Sequence, residues 1–189
     1  MKRSLTLPLA AFLTLASSAA LAHPGHGDGL AGGLAHPFTG IDHMLAMVAV
    51  GLWASQLGRR AMLVLPLVFP VVMLAGAVMG GHGVALPWVE TGIVGSVMVL
   101  GAAVAFGWRA SVPISAALVA VFALFHGYAH GAEFAGGGSA LLYGAGFVIA
   151  TVVLHAIGLG VGVLAKRPFV ARTAGGAITA AGLLLVVVH

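Results

Sequence analysis

Two short stretches of this chain carry the residue types that bind metal ions: His36-Pro37-Phe38-Thr39-Gly40-Ile41-Asp42-His43 and Phe125-His126-Gly127-Tyr128-Ala129-His130-Gly131-Ala132-Glu133. Only 6% of the residues are charged, yet here histidines and carboxylates gather inside segments apolar enough to cross a bilayer. An ionisable side chain at a bilayer centre costs about 2.5–3.5 kcal/mol even on lenient insertion scales. Clusters of such groups therefore point to function. Imidazole combined with carboxylate suits Ni2+, Co2+ or Zn2+, and the carboxylate offsets part of the charge of the dication.

The first stretch reads as a helix whose start is His36, with Pro37 at the first helical position. In a continuous helix His36 and His43 share a face about 10 Å apart along the axis, Asp42 borders that face, and Gly40 leaves room for a neighbouring helix or a hydrated ion. In the second stretch His126, His130 and Glu133 follow at spacings of four and three, which makes one ridge. His126 and His43 each lie about 10 Å in from the outer ends of their helices. The two motifs should therefore meet at a common depth if the helices pack together. The candidate metal ligands are His36, Asp42, His43, His126, His130 and Glu133. Accessory candidates are His23, His26, His82, Glu90 and His155. Met44 and Met47 read as packing residues.

The elements that must position these groups are membrane helices. With 61% hydrophobic residues and a mean hydropathy of +1.14, the chain reads as an all-α, polytopic transmembrane bundle. Cysteine is absent, which excludes disulfides, iron–sulfur clusters and thiolate metal sites. Lysine occurs only at Lys2 and Lys166 and no G-x-x-x-x-G-K-[ST] pattern exists, so ATP-driven work by this chain is not expected. The few, scattered basic residues do not make a nucleic-acid surface. Residues 1–22 resemble a cleavable signal peptide, with Lys2 and Arg3, an apolar Leu5–Leu15 run and Ala20-Leu21-Ala22 as cleavage site. A His/Gly-rich exported segment, 23–35, would follow, where the His23 α-amine and imidazole together with His26 could collect metal.

Six spans are expected over 36–57, 61–80, 90–108, 112–131, 139–164 and 172–188, making 36–189 the membrane domain. Arg59, Arg60, Arg109, Lys166, Arg167 and Arg172 all fall in alternate loops. The positive-inside rule makes that side cytoplasmic and puts both mature termini in the periplasm of an inner membrane. Asp28, Asp42, Glu90, Glu133 and every histidine except His155 then lie towards the outer face, where they would concentrate cations. Gly76/Gly80 and Gly158/Gly162 read as close-packing contacts between helices, and Pro66 and Pro70 as kinks in the second span.

The motifs H-P-F-T-G-I-D-H, followed by L-A-M-V-A-V-G, and F-H-G-Y-A-H-G-A-E resemble the two signature segments of the HupE/UreJ family of nickel/cobalt permeases. The resemblance runs over the whole mature chain, with motif one in the first span and motif two in the fourth. It implies a secondary permease that supplies nickel or cobalt to metalloenzyme or cobalamin assembly. On that resemblance His36, Asp42 and His43 carry over to motif one, and His126, His130 and Glu133 to motif two. The larger nickel/cobalt transporter family uses an H-x4-D-H helix; here five residues separate His36 from Asp42, so its geometry does not transfer.

The expected activity is ATP-independent passage of Ni2+ or Co2+ into the cytoplasm, with no permanently bound cofactor and no enzymatic step. The partners expected are the divalent ion, membrane lipid and, as an open option, a second copy of the chain. An intramembrane zinc hydrolase is the rival, although no HExxH motif is present. A metal sensor or assembly partner that binds without transport is another. Movement of metal across a sealed membrane separates them.

Overall fold

Stretches of 17–25 residues dominated by Leu, Val, Ala and Gly, bounded by Gly, Pro or Arg, fold here into helices. The computed structural model describes residues 29–134, 138–165 and 168–188. The expected signal peptide, with His23, His26 and His189, lies outside these residues. The helices run in the order α1 (Leu30–Thr39), α2 (Ile41–Leu57), α3 (Arg59–Gly81), α4 (Val89–Phe106), α5 (Val112–Glu133), α6 (Ala140–Leu164) and α7 (Pro168–Val188). There are no strands among the described residues. The five helices α3–α7 are each long and apolar enough to cross a membrane, and α1 with α2 meets the same measure only as a bent pair, the geometry of a broken span or a re-entrant loop. This is a multi-pass membrane protein.

The first span departs from the expected single helix over 36–57. The chain bends by 84° between α1 and α2. The helix starts at Leu30, so Pro37 sits in its last turn instead of opening it. Proline has no N–H and its ring crowds the carbonyl four residues back, which weakens the helix there. Thr39 Oγ1 and the Gly40 N–H both donate to the His36 carbonyl, at 2.8 and 3.3 Å, closing the helix end. Gly40 then takes an extended conformation (φ −85°, ψ 107°). Its own carbonyl accepts from the Met44 N–H at 3.0 Å and starts α2 in a new direction.

Helix α2 is the axis of the bundle and touches the other six helices. Its Met47, Val50, Leu52 and Trp53 are fully buried. Around it the closest pairs are α3 with α5, α4 with α7, and α6 with both α1 and α2. Glycine permits this proximity: a Cβ at Gly127 would fall on the Met73 backbone, one at Gly76 on the Leu124 carbonyl, and one at Gly158 on the Val48 carbonyl. Without a hydrophobic force between helices in lipid, such backbone contact carries the packing. The outward face is apolar, with Leu63, Leu67, Val71, Leu74 and Val78 making an exposed stripe along α3. In a bilayer that stripe meets acyl chains.

At the end of the bundle that carries Arg59, Arg60 and Arg109, α2 is tied to the end of α4. Trp53 Nε1 donates to the Trp108 carbonyl at 2.9 Å, and the two indoles stack with centroids 5.5 Å apart. Gln56 Nε2 donates to the Val104 carbonyl at 3.1 Å. The opposite end holds Glu90 at the start of α4, Glu133 at the end of α5 and the α1–α2 bend. It is the acidic end.

Candidate metal centre

The break at Gly40 decides the geometry. By turning α1 across the end of the bundle, it brings the His36 and His43 rings to 6.5 Å between centroids, nearer than the roughly 10 Å of a straight helix. His43 opens into the bundle from the first turn of α2, where the Asp42 carboxylate sits favourably against the helix N-terminus. Asp42 Oδ1 accepts from the His43 backbone N–H and faces His43 Nδ1, both at 2.7 Å. An ionised carboxylate can only accept. His43 Nδ1 therefore carries the proton, and Nε2, buried and without a hydrogen-bond partner, presents its lone pair.

His126 is oriented from the other side. Ser96 Oγ donates to the Ile93 carbonyl at 2.6 Å and so spends its one proton. It lies 2.8 Å from His126 Nε2, so that nitrogen donates and Nδ1 is left with a free lone pair. Nδ1 too is buried and unpartnered. A hydrogen bond on one imidazole nitrogen that frees the other is the arrangement in which histidines ligate metals.

The rings converge. His43 lies 4.6 Å from His126 and 4.4 Å from His130 between centroids, and His36 lies 4.7 Å from His130. Both nitrogens of buried His130 lack hydrogen-bond partners. Glu133 Oε2 stands 3.8 Å from His130 Nδ1 and 3.8 Å from His36 Nε2. Ligand atoms of His36, His130 and Glu133 all lie within 4.8 Å of one another, close enough to share one ion. Elements distant in sequence thus bring these side chains together: α1 gives His36, α2 His43, α5 His126, His130 and Glu133. Asp42 stands behind His43 as its hydrogen-bond partner.

A recess of about 260 Å3 opens onto this set, lined by His36, Thr39, Gly40, Asp42, His43, Glu90, Ile93, Ala129 and Glu133. Glu90 thus joins the rim. A larger, mostly apolar cavity of about 520 Å3 between α3, α5 and α6 reaches His130 from its other side and has His82 in its lining. His82 is the exposed cap of α3 and has no place in the recess. His155 lies apart from the cluster, buried against Phe69.

A family model described as "HupE / UreJ protein" matches residues 11–185. The chain belongs to the HupE/UreJ family. It is 49% identical to "Protein HupE" of Rhizobium leguminosarum bv. viciae over 174 residues, covering 90% of this chain and 91% of that protein. No solved structure matches.

In this HupE/UreJ chain, sequence reasoning missed four contributors around the histidines. Ser96 is a small hydroxyl in an apolar helix, and nothing local marks it as the partner of a residue thirty positions away. Phe147 packs on His130 at 4.1 Å and Tyr143 on His36 at 6.1 Å, walling the cluster on the α6 side. Phe69 closes it towards the bundle interior, 5.7 Å from His126. The aromatic pair Tyr143 and Phe147, spaced i, i+4 on a helix whose other residues, His155 apart, are small or aliphatic, was the one available hint.

Proposed function

We propose that this protein is a secondary permease that carries Ni2+ or Co2+ across the membrane, and that His36, His43, His126, His130 and Glu133 hold the ion on the way. The observation that carries the reading is the set of buried imidazole nitrogens, His43 Nε2, His126 Nδ1 and those of His130, left without hydrogen-bond partners on rings whose centroids lie 4.6 and 4.4 Å from that of His43. Buried polar atoms are ordinarily paired. Several unpaired together, on three rings that each have one lone pair to offer, mark a place for a cation. Nitrogen with carboxylate oxygen suits the borderline divalent metals over Mg2+ or Ca2+. The resemblance to nickel/cobalt permeases points to the same ions.

In this reading Asp42 and Ser96 act behind the ligands, holding His43 and His126 in the metal-binding tautomer. Glu90 and Glu133 draw the hydrated ion into the recess, where imidazoles replace its water stepwise. Conduction needs binding that is strong enough to enter and weak enough to leave. The acidic end faces the periplasm and the arginine end the cytoplasm of an inner membrane, following the positive-inside bias. A membrane potential of 100 mV supplies about 4.6 kcal/mol to a dication. That is equivalent to roughly three orders of magnitude of accumulation, with no ATP required.

The test is entry of radiolabelled Ni2+ and Co2+ into sealed vesicles containing the purified protein. Potential-driven, saturable entry that His43→Ala abolishes is expected. Stoichiometric binding without entry would overturn the permease and leave a sensor or an enzyme.

A further inference from the structure

Below the outer cluster the bundle holds one more buried histidine. His155 on α6 is 1% exposed, yet neither ring nitrogen completes a hydrogen bond. A buried polar group left unpaired costs about 1–3 kcal/mol. In a helix of glycine, alanine, valine and leucine, an apolar residue would avoid that cost. The imidazole packs edge-on against Phe69 of α3, ring centroids 5.1 Å apart, and Pro66 lies one helical turn before Phe69. The Pro66 carbonyl is itself unusual. Its helical donor would be the N–H of residue 70, and residue 70 is a proline, which has none. A carbonyl without its helical bond and an imidazole without a hydrogen-bond partner therefore lie within one turn of each other along the α3–α6 seam.

Phe69 separates this pair from the outer cluster. Its fully buried ring lies 5.7 Å from His126 on one side and 5.1 Å from His155 on the other. One turn further towards the acidic end, Thr151 Oγ1 donates to Met73 Sδ at 3.9 Å and closes the same seam between α3 and α6. The segment bearing Phe69 is bracketed by Pro66 and Pro70. It lacks two helical hydrogen bonds, so its backbone has fewer bonds to break when the ring moves.

We infer that the His155 imidazole and the Pro66 carbonyl form a second station for the divalent cation, separated from the outer cluster by the Phe69 ring. This rests on the permease reading and adds to it a defined inner ligand pair. Nitrogen and neutral oxygen, with no carboxylate, make a weaker site than the outer one. That order of affinity favours passage from outer capture to inner release.

The experiment uses the full chain in lipid nanodiscs, titrated with Co2+ and followed by its visible ligand-field absorption, beside Ni2+ entry into sealed vesicles. Two classes of Co2+ site are expected, one per location. His155→Gln, which keeps a polar side chain of similar reach, should remove the weaker class. It should leave the tight class within twofold and slow maximal Ni2+ entry at least tenfold. Pro70→Ala restores an N–H to bond the Pro66 carbonyl and should weaken the same class. A single class of site in the wild-type protein, or Ni2+ entry unchanged in a His155→Gln protein that melts at the wild-type temperature, would overturn the second station. Two classes of site with no Ni2+ entry even in the wild type would instead overturn the permease and leave the inner site standing.

Discussion

Ser96 Oγ and His126 Nε2 stand 2.8 Å apart across the α4–α5 contact, and the hydroxyl proton is already bound to the Ile93 carbonyl. The bond therefore runs from imidazole to hydroxyl, and it leaves the unprotonated Nδ1 of His126 without a partner in a ring 4.6 Å from that of His43. A serine that can only accept sets the chemistry of a histidine on another helix.

Ser96→Ala should expose that dependence. The substitution removes one oxygen from a fully buried position and leaves His126 Nε2–H unpaired. Loss of a partner behind a metal-binding histidine typically costs 10–100-fold in affinity. The concentration for half-maximal Ni2+ entry should rise by about tenfold, at the low end of that range. Unchanged concentration dependence would mean that His126 is not a ligand.

Asp42→Asn is the corresponding test on the other side. Asparagine keeps the size of the side chain but presents a neutral oxygen to His43 Nδ1 in place of a carboxylate. The imidazole becomes a poorer donor to metal, and entry should fall by about 10–100-fold. Asp42→Glu should not rescue it, because the 2.7 Å contact is between sequence neighbours and leaves no room for a longer arm. Vesicle uptake at saturating and subsaturating Ni2+ would check both.

Gly40→Ala separates crowding from strain. The backbone at Gly40 (φ −85°, ψ 107°) is open to alanine. A Cβ there would nevertheless come within 3.1 Å of both Asp42 Oδ1 and His43 Nδ1. We expect metal affinity to drop while the melting temperature stays within a few degrees of wild type. Equal loss of both would show that the bend itself had failed.

Gly127→Ala should act on the fold. Its methyl would meet the Met73 backbone, which cannot rotate out of the way as a side chain can. Overpacking of this kind costs about 1–3 kcal/mol. Parting α3 from α5 would also move His126 and His130, one residue before and three after Gly127 on α5. Lower thermal stability in detergent, together with lost Co2+ binding, is the expected outcome.

Membrane residence was legible from composition alone, because hydropathy is a sum over residues and needs no knowledge of who touches whom. The spans were legible too: 61–80, 90–108, 112–131, 139–164 and 172–188 fall within four residues of the helix bounds observed for α3 to α7. The ridge of His126, His130 and Glu133 followed from spacing, since residues three and four apart must share a face of any helix.

The tertiary structure decided what spacing could not. A periodic reading carried the helix straight through Pro37 and Gly40, whereas the chain breaks there and brings His36 over His130. The hydroxyl of Ser96, the ring of Phe69 and the freed carbonyl of Pro66 each gain their meaning from a residue thirty or more positions away. Local sequence records the faces of helices. Which faces meet is determined by packing of the whole bundle, where glycines let backbones touch and one bent span folds over the end.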